Sequence, residues 1–134
     1  MKIAYLITRM DELGGAQVHV RDLSLWLKSQ GHEPVVMSGF PGKVSDFLQH
    51  QAVTYTEIED LQRSIHPVKD FKALLQTIKA LREHRPDMLS CHSSKAGLIG
   101  RLAGILAGVP VIFTAHGWAF TEGVPKRERA LYTI

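Results

Sequence analysis

Three groups of residues in this chain have types and spacing that allow them to bind or activate a small ligand. They are Gly14 with Gly15, the segment His92, Ser93, Ser94 and Lys95, and His116 with Gly117. Each group follows a short apolar run that predicts a β-strand. In open α/β sheets, ligands bind in the crevice outside the carboxyl ends of the strands. We therefore expect the three groups to lie on one edge of a sheet.

The paired glycines precede an amphipathic helical pattern and predict a loop that can approach an anion. Glycine permits positive φ and close backbone approach, and the first N–H groups of a helix have no partner within it. The functional interpretation is contact with a phosphate or diphosphate, and the alternative is a tight turn that needs positive φ. The spacing matches neither the dinucleotide fingerprint nor the P-loop.

A helix N-terminus contributes only about 0.3–1 kcal/mol to the binding of an exposed anion. Micromolar binding of a nucleotide diphosphate needs about 8 kcal/mol. The glycine loop therefore cannot hold such a ligand alone. Further contacts must come from this domain or from another one.

The two histidine groups provide hydrogen-bonding and titratable side chains. His116 could donate to a substrate hydroxyl or orient a reacting group, since the unperturbed pKa of histidine lies near neutrality. Its alternative role is a structural hydrogen bond to a neighbouring carbonyl. The segment 92–95 offers donors and a positive charge for a polar or phosphorylated acceptor. Alternatively, Ser93 or Ser94 caps the following helix.

Strand and helix patterns alternate along the chain and predict the fold that positions these groups. Strands are expected at 3–8, 34–38, 53–58, 88–92 and 110–115, and helices at 16–30, 44–51, 68–85 and 94–108 and from about 125. A turn is expected at 39–42, and Pro86 should end the third helix. The alternation predicts an α/β fold with a doubly wound parallel sheet, in which strands 1, 4 and 5 are neighbours.

Two runs of small or apolar residues give further expectations about packing. The continuous apolar run 109–113 predicts a strand that is buried on both faces. Gly100, Gly104 and Gly108 recur every four residues, with Gly97 on the same face, and predict close packing of their helix against a neighbour. The helix at 68–85 has five apolar residues at helical spacing, namely Phe71, Leu74, Leu75, Ile78 and Leu81.

Composition excludes several classes of function. The chain has 134 residues, of which 45% are hydrophobic and 22% charged, as in a single soluble domain. The net charge of +3 is spread along the chain and gives little support for nucleic-acid binding. A single cysteine and the absence of a long apolar stretch predict a cytoplasmic protein. The seven histidines form no metal-binding motif, so no metal is expected.

Long stretches of this chain resemble the N-terminal half of bacterial glycosyltransferases of family 4, the group 1 retaining transferases with the GT-B fold. The stretches are GGAQVHVRDLSLWLKSQGHEPVV, HSSKAGLIGRLAGILAGVPVIFTAHGWAF and PKRERALY. The second is similar to the branch that builds capsular polysaccharide or exopolysaccharide. The resemblance implies that residues 1–134 form a Rossmann-like acceptor-side domain, which faces a C-terminal donor-binding domain across a cleft.

The resemblance also implies a reaction and the residues that take part in it. Family enzymes transfer a sugar from a nucleotide-diphosphate sugar, here expected to be a UDP-sugar, to a polysaccharide or lipid-linked glycan, without a metal or other cofactor. The matching positions are Gly14 and Gly15 for the donor diphosphate, His116 for the catalytic contact to the donor sugar, Gln17 and Gly117 for donor or acceptor contact, and 92–95 for the acceptor. The family's paired-glutamate motif is absent from these residues, so we expect them to be inactive alone.

The end of the sequence carries two further expectations. A helical pattern begins near Pro125 and continues to Ile134 without a cap, so we expect a second domain beyond it. Lys126, Arg127 and Arg129 could favour an anionic membrane surface at the inner face of the membrane, where lipid-linked acceptors reside. Their alternative role is a solvated helix face.

Two other functions stay open on the sequence alone. One is half of a sugar-nucleotide epimerase of the same architecture, and the other is a non-catalytic α/β binding domain. The expected partners of the transferase are a nucleotide sugar, a glycan or lipid-linked acceptor, its own C-terminal domain and a peripheral membrane contact.

Overall fold

The computed structural model describes residues 1–11, 14–62 and 65–113. Strands and helices alternate within these residues, as the sequence predicts. They are β1 (Lys2–Met10), α1 (Gly15–Ser29), β2 (Glu33–Pro41), α2 (Lys43–His50), β3 (Thr54–Glu57), α3 (Pro67–His84), β4 (Met88–Cys91), α4 (Ser94–Ala107) and β5 (Val111–Phe113). His116, Gly117, the basic residues 126–129 and the helix expected from about 125 lie outside the described residues.

The described strands form one sheet in the order β3-β2-β1-β4-β5, and every neighbouring pair is parallel. The chain runs outward from β1 to β3 and then returns to the other side of β1 through β4. The strand order therefore reverses between β1 and β4, and such a point opens a crevice at the carboxyl edge of the sheet. The prediction that strands 1, 4 and 5 are neighbours is confirmed.

The sheet is buried on both faces around β1, because successive side chains of a strand point to opposite faces. Ala4 and Leu6 join the core that α3 and α4 cover. Ile3, Tyr5 and Ile7 join the second core, which α1 and α2 cover. The uninterrupted apolar run of β1 follows from this double burial.

Two of the expectations for the strands are wrong. The predicted turn at 39–42 does not form, because Gly39, Phe40 and Pro41 belong to β2. A Cβ on Gly39 would overlap the carbonyl oxygen of Leu61, so glycine serves a close backbone approach there and not a turn. The expected double burial of β5 is also not observed, since Ile112 is half exposed and its strand pairs with β4 at the edge of the described sheet.

The glycines of α4 confirm the predicted close packing. Added Cβ atoms would meet the ring of Phe113 at Gly97, Sγ of Cys91 at Gly100 and a methyl group of Val111 at Gly104. These contacts let α4 lie directly on β4 and β5. The last glycine of the stripe, at position 108, has a different role, because it ends the helix with a φ of 73°.

The end of α3 confirms the effect of proline on the preceding residue. The helix ends at His84, and Arg85 adopts the left-handed region with φ of 49°. Proline at position 86 disfavours helical geometry at Arg85, which explains the stop.

Replacing Gly100 by alanine tests the packing of α4. The new methyl group would overlap Sγ of the buried Cys91, and overpacking of this kind costs about 1–3 kcal/mol, which exceeds the gain of about 1 kcal/mol in helix propensity. We expect the free energy of unfolding to fall, as measured by chemical denaturation followed by circular dichroism. Gly15→Ala is the matched control, since no atom within the described part of the chain lies within 4 Å of its added Cβ. Equal stability of the two variants would contradict this account.

Candidate functional site

The candidate site is the carboxyl edge of β1 and β4, where α1 and α4 begin on opposite faces of the sheet. The hydroxyl oxygens of Thr8, near the end of β1, and Ser93, before α4, lie 2.6 Å apart and form a hydrogen bond. This bond joins the loops that follow the two strands. The structure thus brings together two of the three predicted groups. The third group, His116 with Gly117, lies outside the described residues, and its role stays a prediction.

The glycine pair forms the N-terminus of α1, and its geometry excludes one interpretation. Gly14 is extended, with φ of −104° and ψ of −179°, so the alternative of a turn that needs positive φ is wrong. A Cβ on Gly14 would meet only the flexible end of Gln17, with Oε1 at 2.6 Å, and one on Gly15 would meet nothing within 4 Å. Gly15 therefore borders open space.

The first turn of α1 is suited to an anion. Gly14 supplies no side-chain cap, and the first turn contains no acidic residue. Backbone N–H groups at a helix start carry partial positive charge and need partners from outside the helix. Contact of this turn with a donor diphosphate stays a prediction that the geometry permits.

Charged residues beside the glycine loop are paired with each other. Arg9 donates from Nε and a terminal nitrogen to the two carboxylate oxygens of Asp11, at 2.9 and 2.7 Å. The hydrogen bond from Arg9 holds the pKa of Asp11 below its usual value of 3.8. The amide of Gln17 donates to the carbonyl of Arg9 at 3.2 Å, which anchors α1 to the end of β1. This pairing neutralises the carboxylate that would otherwise repel a phosphate.

Arg9 and Phe40 are residues at this edge that the sequence reasoning missed. The guanidinium carbon of Arg9 lies 5.4 Å from the centroid of the Phe40 ring, within the range of a cation–π contact. Phe40 has a φ of 41°, in a region that is strained for a non-glycine residue. The sequence offered one usable signal for Arg9, because it is a cation that closely precedes the glycine pair. Its ring partner, Phe40, is distant in sequence and gave no such signal.

His92 is packed inside the protein. Its backbone N–H donates to the carbonyl of Leu6 at 2.9 Å and extends the pairing of β4 with β1. The side chain is only 2% exposed, with Nε2 at 2.7 Å from Oγ of Ser90. Its ring centroid lies 5.5 Å from that of Tyr5 and 5.7 Å from that of His19. Contact of His92 with an acceptor stays a prediction, and a ligand at this edge would meet His19 first.

His19 is a second residue that the sequence reasoning missed. It lies four residues after Gly15 on the same face of α1, and its side chain is exposed. The spacing from the glycine pair was a usable signal. Burial raises the pKa of Tyr5, whose ring centroid lies 5.5 Å from that of His92, to about 12.

Ser93 and Lys95 have structural partners in addition to their predicted roles. Ser93 caps α4, with its Oγ accepting from the N–H of Ala96 at 3.2 Å, which confirms the capping interpretation. Lys95 donates from Nζ to Oδ1 of Asp70 on α3 at 2.8 Å. Ser94 is exposed at the first position of the helix. Contact of this corner with an acceptor stays a prediction.

Two features of the described ranges 1–11, 14–62 and 65–113 bear on other classes of site. Within these ranges, no three or more His, Cys, Asp or Glu side chains are grouped so that they could hold a metal ion. No helix in the same ranges is both long and apolar enough to cross a membrane.

Comparison with known families identifies the domain. Residues 14–134 match the family of glycosyl transferase 4-like domains. The chain belongs to this family. It is 33% identical over 134 residues to an Escherichia coli UDP-Gal:alpha-D-GlcNAc-diphosphoundecaprenol alpha-1,3-galactosyltransferase, and 26% identical over 117 residues to the E. coli O-antigen biosynthesis glycosyltransferase WbnH. The alignments cover 98% and 87% of this chain but only 34% and 32% of those relatives.

Solved structures confirm the expected fold, the N-terminal Rossmann-like part of GT-B proteins. Anabaena HepE in complex with UDP-glucose superposes with a TM-score of 0.71 at 16% identity, over 98% of this chain and 34% of HepE. The UDP-GlcNAc 2-epimerase of Neisseria meningitidis, bound to UDP-GlcNAc, gives a lower TM-score of 0.64 at 12% identity, over 99% of this chain and 39% of that one. The domain spans about a third of each of these proteins.

A double-mutant cycle on Lys95→Met and Asp70→Asn tests the link between α3 and α4. Burial, the largest single cause, pushes the pKa of Asp70 upward, but the hydrogen bonds from Lys95 and the backbone of His66, with the nearby positive charge, together leave the pKa below 3.8. A carboxylate with a lowered pKa stabilises the fold above its ordinary pKa, and this stabilisation is lost as the pH falls through the lower, folded value. We expect a coupling energy of about 1 kcal/mol at pH 7 that disappears at acid pH.

The matched control is the exposed pair of Lys79 and Glu83, whose charged atoms lie 3.9 Å apart one turn along α3. Its coupling should stay below about 0.5 kcal/mol. A Lys95–Asp70 coupling that is zero at pH 7, or that does not change with pH, would show that the contact does not hold the two helices.

Proposed function

We propose that this chain is the acceptor-side domain of a retaining glycosyltransferase, which moves a sugar from a nucleotide-diphosphate sugar to a polysaccharide or lipid-linked glycan. One observation carries the proposal. The uncapped start of α1 at Gly14 and Gly15 lies beside the polar start of α4, where the strand order reverses. Membership of the glycosyl transferase 4-like family supports sugar transfer as the reaction that takes place at this crevice.

The donor is proposed to be a UDP-sugar that needs no metal or other cofactor. The E. coli galactosyltransferase is named for UDP-Gal, and HepE holds UDP-glucose. In the reaction, the bond between the anomeric carbon and the diphosphate oxygen breaks, a bond from that carbon to the acceptor hydroxyl oxygen forms, and the hydroxyl proton passes to the departing diphosphate. Negative charge then grows on the departing UDP. The N–H groups at Gly15 would stabilise that charge, because they are oriented before the reaction begins.

Most of the donor affinity is proposed to come from a second domain. A helix start offers about 0.3–1 kcal/mol, against about 8 kcal/mol for micromolar binding. The relatives are about three times as long as this chain, which leaves room for the missing contacts. These residues alone are therefore proposed to be inactive.

The acceptor is proposed to reach the corner formed by Ser93, Ser94 and Lys95 from a membrane. The E. coli relative is named for a diphosphoundecaprenol acceptor. A cytoplasmic enzyme with such an acceptor would work peripherally at the inner face of the membrane. His116 is proposed to contact the donor sugar near its anomeric carbon, with Gly117 and Gln17 nearby.

Gly15→Val tests the diphosphate contact in the full-length protein. It adds a side chain at the first turn of α1, where no atom of the described residues lies within 4 Å of an added Cβ. We expect a fall of about tenfold in kcat/KM for the UDP-sugar, equivalent to about 1.4 kcal/mol, with little change in melting temperature. Ser29→Val, at the exposed far end of α1, is the control. Unchanged kinetics in Gly15→Val would place the diphosphate elsewhere.

His116→Ala tests the catalytic role in the same protein, with UDP release and product formation followed in the presence of donor and acceptor. A group that assists proton transfer or charge stabilisation contributes about 10²–10⁴-fold to rate, and we expect a loss in that range with an intact circular dichroism spectrum. Turnover equal to that of the native enzyme would remove His116 from the mechanism. An epimerised sugar formed from donor alone would favour the epimerase instead.

A further inference from the structure

The outer face of α3 is unusually apolar for a helix on the surface of a globular domain. Phe71 is 61% exposed, Val68 and Leu75 are each at least half exposed, and Ile65 stands out just before the helix. The outward face of a surface helix is normally charged or polar. Because positions 68, 71 and 75 are three and four residues apart, their side chains lie on one stripe.

Two lysines lie among these apolar side chains. Lys69 and Lys72 are both exposed. The nearest acid on the helix, Asp70, is held by Lys95 at 2.8 Å. We call Ile65, Val68, Lys69, Phe71, Lys72 and Leu75 the α3 face. Its composition is apolar with excess positive charge.

The α3 face lies on the same rim as the candidate site. In a β-α-β unit with parallel strands, the helix runs back along the sheet, so the first turns of α3 lie at the carboxyl edge. The ion pair of Asp70 with Lys95 ties the first turn of α3 to the first turn of α4. The α3 face therefore adjoins the corner where the proposed acceptor would arrive.

We propose that the α3 face docks on an anionic membrane surface. Exposed aromatic and aliphatic side chains insert at the boundary of headgroups and acyl chains, and lysines bind anionic headgroups there. Docking in this way turns the rim of the site toward the lipid. This inference rests on the proposed function only for the reason that docking is useful, namely that it brings the site to a lipid-linked acceptor. Membrane binding itself does not require sugar transfer.

A second exposed apolar stripe, on α4, provides an internal comparison. Leu98 is 64% exposed and Ile105 is 77% exposed. The cation beside them, Arg101, is exposed, and its guanidinium carbon lies 5.3 Å from the centroid of the Phe113 ring. The α4 stripe thus offers apolar surface with one arginine that stacks on a ring, and without the two lysines of the α3 face. If apolar exposure alone decided binding, the two stripes would behave alike.

Cosedimentation with lipid vesicles tests the proposal on the chain itself. Native protein should bind vesicles of phosphatidylethanolamine with phosphatidylglycerol, but not vesicles of phosphatidylcholine, and added salt should weaken the binding. The variants Phe71→Ser with Leu75→Ser and Lys69→Gln with Lys72→Gln should each lower the binding constant by about tenfold. Leu98→Ser with Ile105→Ser is the matched control and should stay within about twofold of native.

A fluorescent label distinguishes insertion from a loss of folding. The single cysteine, Cys91, is fully buried, and burial raises the pKa of its thiol to about 12, so an added surface cysteine can be labelled selectively. A polarity-sensitive label at Phe71→Cys should shift to shorter wavelength with anionic vesicles, whereas the same label at Leu98→Cys should not.

Three results would overturn the proposal: native protein that ignores anionic vesicles, an equal loss in the α4 variant, or an equal spectral shift at position 98. The first would leave the α3 face to a protein partner. Vesicle binding with no sugar transfer by the full-length protein would reject the proposed function and keep this inference. Sugar transfer without vesicle binding would reject this inference and keep the proposed function.

Discussion

Parallel pairing of β1 with both β2 and β4 is the constraint on which the rest of the structure depends. It places β1 at the centre, buries both of its faces, and directs α1 and α4 to opposite sides of the sheet. Because the loops after β1 and β4 part at this point, a crevice opens between them at the carboxyl edge. Among the described residues, the groups at the starts of α1 and α4 are positioned by that divergence.

The polar side chains at the crevice mostly bind one another. Thr8 and Ser93 join the two loops, Arg9 neutralises Asp11, and Lys95 holds α3. These contacts link the loops of the rim, and Gly14 gives the first turn of α1 no side-chain cap. A cross-linked edge with an uncapped helix start suits a domain that contributes orientation and modest electrostatic stabilisation. It does not suit one that holds a nucleotide sugar by itself.

The ion pair of Lys95 with Asp70 connects the proposed acceptor corner with the α3 face. Lys95 belongs to the corner expected to receive an acceptor, and its partner Asp70 lies on the helix whose outer face is apolar and basic. Neutralisation of Asp70 by Lys95 also leaves the positive charge of the neighbouring lysines uncompensated. A partly buried ion pair between two helices thus influences the electrostatics of the exposed surface.

Local patterns in the sequence determined the order and type of the elements, the cap at Ser93 and the stop before Pro86, because each depends on neighbouring residues or on a regular period. The glycine stripe of α4 was also readable, since its spacing matches one helix face, although Gly108 caps the helix and does not pack in the stripe. Tertiary structure alone decided which surfaces are covered. Phe71 shares the helical spacing of the buried Ile78 and Leu81 but lies outward, and β5, which was expected to be buried on both faces, lies at the described edge. His92 is enclosed by Tyr5 and His19, and Gly39 continues a strand because the backbone of Leu61 approaches it. These outcomes depend on residues distant in sequence. Whether a side chain is buried is decided by the residues that the fold packs against it, and local sequence does not name them.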